Sequence, residues 1–179
     1  MKKIIVILTL MFVVISNSLF SQLNNEKITY SFINEYGLFF GGGVNEGTIG
    51  LTSVFVNGIK CNNQNFYGIG IGYESDLFSG QSIPMFFNYR HFFPSNKKLK
   101  PLINVALGAR FSYWTESNII LDYYGNIIYE DIQRNAFGFY STVAAGFNVN
   151  AFSFTSGLFL KSVQEHFIAG FEVKAGFTL

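Results

Sequence analysis

The closing stretch of the chain, Phe167 to Leu179, reads FIAGFEVKAGFTL. In an extended strand successive side chains point to opposite faces. Phe167, Ala169, Phe171, Val173, Ala175, Phe177 and Leu179 therefore share one face, while Ile168, Gly170, Glu172, Lys174, Gly176 and Thr178 share the other. One face is apolar and rich in aromatic rings; the other is mostly small or charged. A strand with lipid on its outside and a polar lumen on its inside has this composition.

The rest of the chain extends that pattern. Only 13% of the 179 residues are charged, 18% are aromatic, and there are 18 glycines. A soluble domain carries about 25% charged residues, so this is too apolar for an ordinary soluble surface. Beyond the first twenty residues, Gly, Asn and Ser interrupt every apolar run before it reaches the roughly 20 residues a spanning helix needs. A closed barrel is the other way to satisfy every backbone group in lipid.

Met1 to Ser21 has the form of a cleaved signal helix. Lys2 and Lys3 open it, Ile4 to Ile15 is an apolar core too short to span, and Ser16 to Ser21 is small and polar. Cleavage after Ser21 or after Ser18 fits, which leaves 22–179 as one domain with no linker in it. Without the two lysines the charge is near neutral, so no nucleic acid is implied as a partner. The sole cysteine, Cys61, has no disulfide partner and reads as an inert turn thiol. His91 and His166 stand far apart and without nearby Cys, so no metal spacing is present and no cofactor is implied.

Eight extended segments follow from about Ser31, predicting an all-β, eight-stranded antiparallel up-and-down transmembrane β-barrel. They run about 31–41, 48–60, 66–74, 83–93, 101–113, 135–148, 151–161 and 167–179. In the first, Glu35, Gly37, Phe39 and Gly41 share a face. The second hides its period, because Val54, Phe55 and Val56 are consecutive. In the third, Tyr67, Ile69, Ile71 and Tyr73 oppose Gly68, Gly70 and Gly72, a strand alternation with no helix after it and so no dinucleotide fingerprint. In the fifth, Ile103, Val105, Leu107, Ala109 and Phe111 oppose Asn104, Ala106, Gly108, Arg110 and Ser112. The longest connection, 114–134, contains a small hairpin of Ile119 to Leu121 and Ile127 to Tyr129 around Gly125-Asn126. Short second, fourth and sixth connections and longer odd ones put both termini in the periplasm.

Several segments resemble the small outer-membrane β-barrel family of Bacteroidota and, more broadly, eight-stranded OmpA- and OmpX-type barrels. They are Val56 to Lys60 leading into Phe66 to Tyr73, Ile83 to Phe86 with Tyr89-Arg90, and Lys100-Pro101 leading into Val105 to Gly108. The resemblance implies the fold and an outer-membrane location; it carries over no functional residues.

The inward charges are Glu35, Arg90, Arg110, Lys161, Glu172 and Lys174. An interior this narrow is filled by side chains, so these six are expected to form a structural charge network in which Arg90 or Arg110 meets a carboxylate. The expected partners are outer-membrane lipid, the barrel assembly machinery during insertion, and an extracellular protein at loop 114–134, with the barrel a monomer. That loop could leave a strand edge open for pairing. Two other functions are kept in view. One is a lipid acylhydrolase using His166, Glu165 and Ser112 or Ser117; the other is a soluble lipocalin-like lipid-binding barrel, which needs the reverse facial pattern.

Overall fold

In the computed structural model the chain closes on itself as one ring of eight antiparallel strands in sequence order. The structure describes residues 28–43, 47–76, 80–95, 98–121, 127–163 and 166–179, without the side chains of 117–121, 127–130 and 163. The expected signal segment, 1–21, lies outside the described residues, as does the start of the mature chain.

The strands are β1 (Ile28–Gly42), β2 (Gly47–Cys61), β3 (Asn65–Asp76), β4 (Gly80–Phe92), β5 (Leu99–Leu121), β6 (Ile127–Val149), β7 (Phe152–Val163) and β8 (His166–Thr178). Closure is made by β8 against β1, from Gly42↔Ala169 to Ile33↔Thr178. Leu179 continues it, exchanging backbone bonds of 2.8 and 2.9 Å with Phe32. A closed ring has no edge to protect within the wall.

The alternation seen in the closing strand holds around the ring. Glu172 and Lys174 are buried while Phe167, Phe171 and Val173 are exposed. On β2, whose period the sequence hides, the faces are regular: Thr48, Thr52, Val54 and Val56 are buried and Ile49, Leu51, Phe55 and Ile59 are exposed. The run Val54-Phe55-Val56 obscures this because the lumen there is itself apolar. Ile33, Val54, Val56, Phe66, Phe86, Phe92, Leu102, Ala106 and Tyr140 form one buried cluster. Much of it sits toward the end where the β2–β3 and β4–β5 turns lie.

Rings fill that narrow space because glycines admit them. Phe39 lies over Gly50, Phe66 over Gly58 and Gly68, and Phe86 over Gly70, each where a Cβ would stand. Asn62 and Asn63, both at positive φ, make the tight β2–β3 turn.

Cys61 ends β2, is buried, and opens the turn with its carbonyl, which accepts from Gln64 N at 3.0 Å. Two expectations need correction. Within 114–134 the described residues 114–121 and 127–134 are strand and not loop. β5 and β6 continue through it in unbroken register, from Trp114↔Arg134 to Leu121↔Ile127. The ladder satisfies backbone groups that a loop would leave to water. Because strands take up residues assigned to loops, the connections at the two ends hardly differ in length. The β4–β5 connection, Phe93 to Lys98, is as long as any. Connection length therefore does not orient the barrel; the overhang of β5 and β6 is the asymmetric feature.

The charged lumen and the projecting hairpin

Two buried networks cross the lumen. In the first, Arg90 on β4 makes a two-pronged contact with Glu35 on β1, Nη1 to Oε1 at 2.6 Å and Nη2 to Oε2 at 2.8 Å. Arg90 Nε donates to Asn88 Oδ1 at 3.0 Å, Asn88 Nδ2 donates to Asn104 Oδ1 at 2.7 Å, and Ser153 Oγ donates to Glu35 Oε1 at 3.3 Å. Five side chains thereby tie β1, β4, β5 and β7. The planar guanidinium suits such a contact because its fork matches both carboxylate oxygens.

The second network centres on Glu74 of β3. Lys161 Nζ on β7 donates to Glu74 Oε1 at 2.6 Å, and Arg110 Nε on β5 lies 3.2 Å from Oε2. Ser82 Oγ on β4 bridges the two, accepting from Arg110 Nε at 2.8 Å and donating to Glu74 at 3.2 Å. Lys161 is also held among rings, 4.3 Å from the centroid of Phe39, 4.2 Å from Phe159 and 5.5 Å from Tyr140. Ring faces carry partial negative charge, so the ammonium has acceptors on several sides.

Glu172 and Lys174, two apart on β8, meet each other at 2.6 Å. Lys174 stands in register between Gly37 of β1 and Thr155 of β7. All six charges read from the sequence thus point inward and each meets an opposite charge. Glu74 was missed by the sequence reading. The signal is present, since Glu74 continues the parity of Gly68, Gly70 and Gly72 at the last position of the predicted segment.

Of the acylhydrolase residues, the two with described side chains, Ser112 and His166, are not brought together. Ser112 is buried inside β5 opposite Ser82, while His166 is exposed at the start of β8, three strands away. Glu165 and the Ser117 side chain lie outside the described residues. His91 rests its Nδ1 2.8 Å from Asn65 Oδ1 and its ring edge-on to Phe93. Among the described residues no three His, Cys, Asp or Glu side chains are placed to hold a metal.

Above the wall stands the β5–β6 hairpin. β4 pairs with β5 only as far as Gln81↔Tyr113, and β7 with β6 only as far as Tyr140↔Lys161. Ser162 Oγ accepts from Phe139 N at 2.7 Å, so a side chain ends the β6–β7 ladder. Beyond these points each strand of the hairpin has its sister on one side and, among the described residues, no paired strand on the other. Glu116 and Arg134 face each other across it at 3.3 Å, both about half exposed.

A closed eight-stranded ring with an apolar outside, a filled charged inside and an overhanging hairpin defines a class of protein, the small barrels solved from outer membranes. No protein-family model and no curated protein sequence matches the chain. Among solved structures it resembles Neisserial surface protein A, with 10% identity, a TM-score of 0.60, and coverage of 86% of this chain and 99% of that one. It also resembles Ail, the attachment invasion locus protein of Yersinia pestis, with 11% identity, a TM-score of 0.50, and coverage of 86% and 99%. At such identities the likeness is one of fold.

Proposed function

We propose that this chain is an exported, monomeric outer-membrane barrel that acts at the cell surface through its β5–β6 hairpin. Exposed Ile69, Ile71, Met85, Phe87, Leu107 and Leu158 suit lipid outside, and a lumen filled by its own rings and ion pairs speaks against a lipocalin-like carrier. The basic, apolar, small-residue pattern of Met1 to Ser21 supports export. The likeness of β2 to β5 to Bacteroidota barrels favours that group as its source. Insertion by the barrel assembly machinery follows from the location. With the lumen packed by side chains, surface interaction is favoured over permeation.

The observation that carries this reading is the hairpin register, which runs on to Leu121↔Ile127 with neither β4 nor β7 alongside. The test is protease added to intact cells expressing the chain. Cleavage within 114–134 that leaves the barrel core whole supports the reading. Cleavage there only after the outer membrane is ruptured overturns it.

A further inference from the structure

The near-neutral total charge conceals a separation by end. Lys60, Lys98 and Lys100 lie toward the end that bears the β2–β3 and β4–β5 turns. The sequence of the hairpin at the opposite end, 114–134, has Glu116, Asp122, Glu130 and Asp131 against Arg134 alone. Lysine and proline are among the devices with which proteins blunt free strand edges. Neither occurs anywhere between Trp114 and Phe139. The free edge is thus backbone available for pairing, set in a field of negative sign.

The β6 edge is the longer of the two. Among the described residues β5 has no neighbour on that side from Thr115 to Leu121, while Trp114 packs over Gly80 at the head of β4. Among the described residues β6 has no neighbour on that side from Ile127 to Phe137; Ser162 then lies against Gly138 and caps Phe139. A strand laid along β6 would meet acidic positions on both of its faces, because Glu130 and Asp131 are consecutive and alternate.

We propose that the β6 edge takes up an extended polypeptide of net positive charge as an added strand. Main-chain bonds supply the attachment, and opposite charges across neighbouring strands supply the preference. The inference rests on the surface role proposed above and adds the chemistry of the partner. The same field disfavours acidic segments and polyanions at this edge.

The experiment uses the full-length mature barrel in lipid nanodiscs and three labelled ten-residue peptides. One alternates threonine and lysine, one alternates threonine and glutamate, and the third is the lysine peptide N-methylated at alternate residues. The lysine peptide should bind about tenfold or more tighter than the glutamate peptide, a margin a few cross-strand charge pairs can supply. Raising salt from about 50 to about 500 mM should shrink that margin. The double variant Glu116→Gln, Asp131→Asn should erase it while the barrel stays folded. The N-methylated peptide keeps its charge but loses backbone donors, and should bind no better than the glutamate peptide. Equal binding of the lysine and glutamate peptides would overturn the charge preference and leave edge pairing standing. Equal binding of the N-methylated and parent lysine peptides would overturn edge pairing and with it the hairpin role. An absence of binding by any peptide would overturn both.

Discussion

Arg90 and Glu35 reach each other from walls three strands apart, and both guanidinium Nη atoms sit within 2.8 Å of a carboxylate oxygen. Each side chain is 1% exposed. A charge taken so far out of water is tolerated only with its partner in place, so the pair acts as a cross-brace of the lumen.

Removing one partner should therefore cost far more than removing both. Arg90→Ala is expected to lose about 3–5 kcal/mol, because Glu35 is left charged and buried. Arg90→Met with Glu35→Leu should recover most of that loss. Urea unfolding from lipid vesicles, followed by tryptophan fluorescence, measures both.

Glu74 is the shared acceptor of Lys161 and Arg110, whereas Glu172 serves Lys174 and leaves its Oε2 without a hydrogen-bond partner. Glu74→Gln should accordingly destabilise more than Glu172→Gln. In a double-mutant cycle, Glu74→Gln with Lys161→Met should show a coupling of about 0.5–3 kcal/mol. Additive losses would mean that the contact contributes nothing of its own.

Gly70 has no room for a side chain, since the Phe86 ring occupies the place a Cβ would take. Gly70→Ala should cost about 1–3 kcal/mol by overpacking. Adding Phe86→Leu should restore part of it, and a simple loss of backbone freedom would show no such rescue. The temperature at which the folded band disappears on a gel reports each variant.

The facial assignment has its own test at Leu107, which is exposed on the outer face and paired with Phe87 and Ser141. In a bilayer Leu107→Arg should cost about 2–4 kcal/mol. Thr115→Arg, exposed on the hairpin, should change stability by less than about 0.5 kcal/mol. If the outer wall faced water instead, Leu107→Arg would be equally mild.

Strand number, order and most facings were legible because a period of two survives wherever the lumen is lined by Gly, Asn or charge, as on β3, β5 and β8. It fails on β2, where Val54 and Val56 join an apolar lumen cluster and the inside matches the outside. Strand ends were the least legible. Pairing, not composition, carries β5 and β6 to Leu121 and Ile127, and pairing is a property of two distant segments. The same limit hid Glu74, which stands at the very end of the predicted third segment and holds two of the predicted lumen cations. Which acid each cation meets depends on the stagger of the strands around the ring, and the alternation within one strand does not encode that.

The central claim is a closed barrel whose apolar wall faces lipid. It is tested most directly by separating inner from outer membranes of cells expressing the chain and running the protein in a mild-detergent gel with and without boiling. A compact, fast band in the outer-membrane fraction that is lost on boiling is the expected result. A soluble protein, or one whose mobility is indifferent to boiling, would contradict the account.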